Sequence, residues 1–259
     1  MGQPSKLTIQ LRVLSALILR EMATRFGRSY GGYFWAIAEP AAVIALLSLV
    51  FSELARRPPI GDSFAFYFAS GYLAFHIYSD IAMNISQSVR VNLTLLNFPR
   101  VTPLDTILAR FVLQSLTVIV VFVIMITAIA MADGVSIRPN PAAIAFAIVL
   151  AQCLGLAVGT LNCVIFAIIP VWERIFGIIN RPLFLISGIF FEYDSLPRYA
   201  QDLIWYNPLV HIVALMRRGL FPTYSPDFIS IPYVVFLIFT VGLLGILMLR
   251  AFHAKVIEP

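Results

Sequence analysis

The sequence predicts an all-α integral membrane protein of six transmembrane helices, with an amphipathic helix ahead of the first span and re-entrant half-helices after the fifth. Three observations carry this expectation. Hydrophobic residues make up 60% of the 259-residue chain and charged residues only 12%, against about 25% charged in a soluble domain. Six stretches are apolar and near the length, roughly 20 residues, that a helix needs to cross a bilayer. Ahead of them Leu7, Leu11, Leu14, Ile18 and Met22 recur at helical spacing, with Arg12 and Arg20 off that stripe, as in a helix lying in the membrane surface.

The chain divides accordingly into residues 1–30, a cytoplasmic amphipathic helix and linker, and residues 31–259, the six-span region. Arg12, Arg20 and Glu21 interrupt the first apolar stretch and no small-residue cleavage site follows it, so no cleavable signal peptide is expected. Gly2 opens a partial myristoylation pattern, but Lys6 stands where Ser or Thr is needed, which argues against lipidation. A basic linker with Arg25, Arg28, Tyr30 and Tyr33 leads into spans expected at 33–51, 64–85, 104–131, 142–169, 171–190 and 231–252. Lys6, Arg12, Arg20, Arg25, Arg28, Arg90, Arg100, Arg174, Arg250 and Lys255 fall on one side of these spans. Arg56, Arg57, Arg138, Arg198, Arg217 and Arg218 fall on the other, so the positive-inside rule places both termini in the cytoplasm. The sequons at Asn84 and Asn92 then lie on the cytoplasmic side, where they cannot be glycosylated.

Residues 191–230 are too long and aromatic for a simple turn, and Pro197, Pro208, Pro222 and Pro226 interrupt them. Their apolar pieces, 203–206 and 209–216, are shorter than the ~17 residues a span needs and read as periplasmic re-entrant half-helices. They form either an outer gate, with Trp205, Tyr206, His211, Arg217 and Arg218 as its candidate residues, or a static lid. The net charge of +5, mostly from arginine, suits a membrane surface or an anionic substrate and not a nucleic acid. Cys153 and Cys163 fall in or beside a span, as small packing residues do.

Charged groups inside spans cost about 2.5–3.5 kcal/mol at mid-bilayer even on a lenient scale and are rarely idle. Arg181 lies about ten positions into the fifth span, between Asn180 and the helix-breaking Pro182. It faces a polar channel or pairs internally with Glu39, Asp80 or Glu173. His76 and Asp80 share a helical face with Tyr72, an arrangement open to structural hydrogen bonding or to proton relay. The pair Glu39 and Pro40 suggests a kink, and Glu39 a path-lining acid. Aromatic residues along the second span and near Trp35 suit sugar faces, although an interfacial aromatic belt explains them equally. Gly155 and Gly159 form a G-x-x-x-G pair suited to close helix approach. No catalytic or metal-binding set emerges: there is no H-E-x-x-H, His76, His211 and His253 are dispersed, and Glu192 with Asp194 reads as loop solvation.

Four groups of residues carry a resemblance. They are Leu19, Arg20 and Glu21 through Arg28, with Tyr33, Trp35, Glu39 and Pro40; Asn97, Phe98, Pro99 and Arg100; Ser187 to Phe191 with Leu196 and Pro197; and Tyr206, Asn207, Pro208 and Leu209 leading to Arg217. In this order the chain resembles the membrane subunit of ABC-2-type exporters, most of all the permeases that export capsular polysaccharide, with O-antigen permeases as near relatives.

The resemblance implies a homodimer bound to two copies of a separate ABC ATPase subunit. ATP and Mg2+ would reside on that partner, and this chain, a transport subunit and not an enzyme, would hold no cofactor. The absence of any G-x-x-x-x-G-K-[ST] motif agrees. The resemblance further implies an interface helix over about 7–26 and a coupling helix within 84–100, with Arg20, Arg25, Arg90, Leu93, Leu96 and Phe98 as ATPase-coupling residues. The path residues would be Arg28, Tyr30, Tyr33, Trp35, Glu39, Tyr72, His76 and Arg181. A lipid-linked acidic polysaccharide would leave the bacterial inner membrane toward a periplasmic adaptor and an outer-membrane export component. Export of O-antigen or teichoic acid, a proton-coupled carrier, and an enzyme acting on lipid-linked sugars are the alternatives.

Overall fold

A computed structural model describes residues 6–26, 32–96, 101–135, 138–253 and 255. Within them the chain forms α-helices and one 3-10 turn, with no strand among the described residues. Helix α1 is Lys6–Phe26 and α2 is Gly32–Leu54. Helix α3, Phe64–Ser86, leads into two single-turn helices, α4 (Ser88–Val91) and α5 (Leu93–Leu96). Helices α6 (Pro103–Ala132), α7 (Pro141–Ile168) and α8 (Val171–Leu185) follow. A 3-10 turn at Tyr193–Ser195, short α9 (Arg198–Ile204) and α10 (Pro208–Leu220) precede α11 (Ile231–Ala251).

Local chemistry sets several of these boundaries. Ser63 caps α3 by accepting the Phe66 N–H at 3.0 Å. Thr102 and Asp105 form a reciprocal capping box at the start of α6, where Pro103 needs no hydrogen-bond partner for its nitrogen. Asn140 before Pro141 and Asn207 before Pro208 repeat the pairing of a polar cap with proline at α7 and α10.

Among the described residues four helices are long and apolar enough to cross a membrane: residues 34–54 of α2, α6, α7 and α11. Helix α3, at 23 residues, has the length as well, but it carries Ser70, His76, Asp80, Asn84 and Ser86. These residues are tolerated because α3 is the central helix, enclosed by α2, α6, α7 and α10. Helix α8 has only 15 residues and stops at Leu185, short of the expected end at 190. Pro182 occupies its last turn, and the chain then reverses through Gly188 at φ +78°, a conformation that suits glycine.

The α3–α7 seam is closely packed. Cβ atoms placed at Gly155 and Gly159 would lie 2.9 Å from the Tyr78 and Ala82 carbonyl oxygens. This G-x-x-x-G pair therefore joins two helices of the same chain. Aromatic residues of α3 lie largely in the core: Phe66, Tyr67, Phe68, Phe75 and Tyr78 are all buried. Cys163 is buried and Cys153 half-buried in α7, and neither forms a disulfide.

Helix α1 rests chiefly on α6. Among its described side chains Leu17 and Glu21 are buried, Leu14 and Ile18 of the expected stripe are half-buried, and Leu19 and Met22 are exposed, while the side chains of Leu7 and Leu11 lie outside the described residues. At the Met22 end of the stripe a carboxylate with a partner on α6 takes the inward position that apolar spacing alone assigned to Met22.

Candidate functional site

At the end of the bundle that carries α1, a cluster of polar side chains joins four elements. Glu21 of α1 forms an ion pair with Arg110 of α6, Nη2 to Oε2 at 3.3 Å, and both side chains are largely buried. Asn92, between α4 and α5, donates to Glu21 Oε1 at 2.8 Å and to the Ser88 carbonyl at 2.9 Å. Its own Oδ1 accepts from Arg20 Nη1 at 2.8 Å. Arg110 also donates to the carbonyl of Asn84 near the end of α3, at 3.2 Å. One turn deeper, Asp80 accepts from Asn84 Nδ2 at 2.8 Å and from Gln114 Nε2.

Sequence reasoning singled out Arg20 and Asp80 among these residues but not the cluster they belong to. Glu21 entered as an interruption of the apolar stripe and as part of the resemblance, Asn84 and Asn92 as unusable sequons, and Arg110 not at all. The one available signal was that Arg110 and Gln114 sit a helical turn apart inside an otherwise apolar stretch.

The turns α4 and α5 lie where a coupling segment was expected. Val89 and Leu96 are buried in the bundle, Leu93 is half-buried, and Val91 and Arg90 are exposed. The apolar character of this loop is therefore largely spent on its own chain. Arg90 pairs with Glu173 of α8 at 3.0 Å across the surface, an exposed contact worth little by itself. Beside it, a cleft of about 330 Å³ opens between Arg90, Leu93, Phe166 and Pro170. Phe98 and Arg28 with Tyr30 lie outside the described residues, as do the side chains of Arg25 and Tyr33.

The expected path residues divide between core and surface. Tyr72 is buried and stacks on half-buried His76, with ring centroids 5.6 Å apart, and its edge meets Phe184 of α8. His76 thus contacts an aromatic ring while Asp80 bonds to Asn84 and Gln114, so the pair forms no relay geometry. Trp35 and Glu39 on α2 and Arg174, Ile178 and Arg181 on α8 are all exposed. Of the three carboxylates considered for Arg181, Asp80 and Glu173 are engaged elsewhere. These faces of α2 and α8 are thus apolar surfaces carrying an acid and two arginines, exposed among the described residues.

At the opposite end, the expected gate residues form two separate groups. Trp205, Tyr206 and His211 converge with Tyr233 of α11: Trp205 lies 5.2 Å from the His211 ring and 4.9 Å from Tyr233. Trp205 Nε1 donates to the Phe228 carbonyl at 3.3 Å, and the Tyr233 hydroxyl donates to the Tyr206 carbonyl at 2.6 Å. His211 is buried with both ring nitrogens used. Nδ1 accepts the Ser230 N–H at 3.2 Å, so Nε2 carries the proton and donates to the Trp205 carbonyl at 2.8 Å. Burial pushes the His211 pKa down, partly offset by the Trp205 carbonyl.

A pH dependence follows. A base whose folded pKa is depressed contributes stability that is complete above the unfolded value near 6.5 and is lost as pH falls below it. The melting temperature of the solubilised protein is expected to drop between pH 7 and 5, and His211→Gln is expected to flatten that drop. An unchanged slope in the variant would remove His211 as its cause.

Arg217 belongs to the second group. It is 2% exposed and reaches away from the aromatic cluster to the chain reversal after α8. It donates to the carbonyls of Gly188 at 2.7 Å, Ile189 at 2.9 Å and Phe191 at 3.3 Å, and its guanidinium lies 4.1 Å from the centroid of the Tyr67 ring. Neighbouring Arg218 is exposed. A cleft of about 910 Å³ near this end has Asp62 and Asp133 on its wall, a poor seat for an anionic polymer.

The fold and these two ends define an all-helical membrane transport subunit, with charged residues on uncovered helix faces and a polar tie between surface helix and bundle. The chain belongs to the ABC-2 type transporter family, whose model matches residues 12–221. It is 30% identical over 242 residues to the polysialic acid transport protein KpsM of Escherichia coli, covering 93% of this chain and 94% of that one. It is 27% identical over 253 residues to the capsule polysaccharide export inner-membrane protein BexB of Haemophilus influenzae, covering 98% and 95% of the two chains. The similarly named CtrC of Neisseria meningitidis serogroup A is 24% identical over 253 residues, with the same coverage.

Proposed function

We propose that this chain is the permease subunit of an ATP-driven exporter that moves a lipid-anchored acidic capsular polysaccharide out across the inner membrane. Near full-length similarity to relatives named for capsule polysaccharide export and polysialic acid transport carries this reading. It favours capsule over O-antigen or teichoic acid, and a conduit over a proton-coupled carrier or a membrane enzyme. On this reading α3 and α8 join the four long apolar helices as spans, both termini are cytoplasmic, and α9 with α10 forms the re-entrant gate.

Two copies of the chain face one another across α2 and α8, whose exposed apolar faces need a cover other than water. Trp35, Glu39, Arg174 and Arg181 then border the conduit, where an arginine is a natural contact for a carboxylate or phosphate. Two ABC ATPase subunits, holding ATP and Mg2+, dock on α1, Arg90 and the cleft beside Leu93. A periplasmic adaptor and an outer-membrane component take up the polymer.

The test is ATP hydrolysis by this chain purified with its ATPase subunit, with and without acidic capsular polymer. Polymer is expected to stimulate hydrolysis in the wild type, and Arg181→Ala is expected to reduce that stimulation severalfold. Failure of any ATPase to co-purify would overturn the exporter reading, and a normal Arg181→Ala response would remove Arg181 from the path.

A further inference from the structure

The polar cluster at the α1 end is costly to build. Glu21, Arg110 and Asn92 are only 5%, 9% and 3% exposed. A buried ion pair seldom outperforms apolar residues of equal volume as glue, because desolvating both charges consumes most of their attraction. Such groups do supply a single permitted geometry, since each donor and acceptor is satisfied in one arrangement only. Here that arrangement spans α1, the α4–α5 junction, α6 and the end of α3 through five contacts of 2.8–3.3 Å. Apolar contacts such as that of Leu17 would by themselves let α1 slide along α6. A carboxylate gripped by Arg110 on one oxygen and Asn92 on the other does not slide.

We infer that Glu21, Arg110 and Asn92 form a clasp that makes the surface helix α1, the turns at 88–96 and the membrane helix α6 move as one body. Glu21 and Arg110 are then positioning residues for transport. This rests on the reading of the chain as an ATPase-driven permease: a push on the exposed side of α4 and α5 passes through Asn92 to Glu21 and Arg110, and so into α6. The Asn92 amide is suited to the junction because it donates to the carboxylate with one end and accepts from Arg20 with the other. An aspartate there would set two carboxylates side by side.

The experiment uses the complex with its ATPase subunit and reads two quantities: polymer exported per ATP hydrolysed in sealed vesicles, and hydrogen exchange of the α1 amides in nanodiscs. Glu21→Gln keeps the contact to Asn92 and loses the ion pair. It is expected to lower the ratio at least about fivefold, the lower range of measured coupling effects, and to speed exchange in α1. Asn92→Asp is expected to do the same, and the exchanged pair Glu21→Arg with Arg110→Glu to recover part of both readouts. Wild-type values for Glu21→Gln in both readouts overturn the clasp. So does a fallen ratio with unchanged α1 exchange, because the residue then acts elsewhere. If no ATPase co-purifies, the exporter reading fails by itself, and exchange in the isolated chain still decides the clasp: unchanged α1 protection in both variants overturns it.

Discussion

Arg217→Ala is expected to cost the folded protein about 3 kcal/mol or more, roughly 6–12 °C in melting temperature, with much of the chain lost on solubilisation. The cause is the loss of three charge-assisted hydrogen bonds at once. Residues 186–191 reverse the chain after the end of α8, so their carbonyls lie outside any helical ladder and need other partners. The Arg217 guanidinium satisfies those of Gly188, Ile189 and Phe191 from the neighbouring α10. Gly71 of α3 makes room for it, since a Cβ there would stand 3.1 Å from Nη2. With alanine the carbonyls stay buried and unpaired, and Tyr67 loses the cation above its ring. Arg217→Lys keeps the charge but not the planar fork, and is expected to recover less than half of the loss. Exposed Arg218→Ala serves as control, with an effect within about 0.5 kcal/mol. A melting temperature for Arg217→Ala equal to that of the control would refute the structural role and return Arg217 to the gate as a polymer contact.

The contrast between Arg217 and Arg218 shows what was and was not legible in the sequence. Composition and the length of apolar runs gave the helices and the class of protein, because burial in lipid leaves a one-dimensional trace that any window of residues records. The caps and prolines that start α6, α7 and α10 are equally local, although in the sequence alone Pro208 reads as an interruption. The side on which a polar residue looks for its partner leaves no such trace. Arg217 and Arg218 are adjacent and chemically identical, yet one is sealed against α3 and the other faces out, because α10 turns by about 100° per residue between them. Glu21 was read as a break in an amphipathic pattern because its partners, Asn92 and Arg110, are 71 and 89 positions away. Arg181 was read at mid-depth of a continuous span, whereas α8 ends four residues later and leaves it on an uncovered face. Trp205, Tyr206 and His211 do lie together, since all three belong to one short stretch where local geometry decides.

Gly155→Leu and Gly159→Leu are expected to leave no stable, monodisperse protein, and the alanine variants to cost about 1–3 kcal/mol each. Helices without a hydrophobic driving force between them associate through close backbone approach, which small residues permit. At Gly155 a Cβ would stand 2.9 Å from both the Tyr78 carbonyl oxygen and Ile81 Cβ, and at Gly159 2.8 Å from Ile85 Cβ. The neighbours on α3 are backbone and branched Cβ atoms with no rotamer to retreat into, so α3 itself must move. If the G-x-x-x-G face served association between copies instead, the leucine variants would fold normally and differ only in oligomeric state. Melting temperature together with size-exclusion profile separates these outcomes. The consequence reaches beyond the seam, because α3 also presents the Asn84 carbonyl to Arg110 and the Asp80 carboxylate to Gln114. A shift of α3 by the width of a methyl group exceeds the tolerance of those hydrogen bonds, so the alanine variants are also expected to loosen α1, detectable as faster amide exchange there.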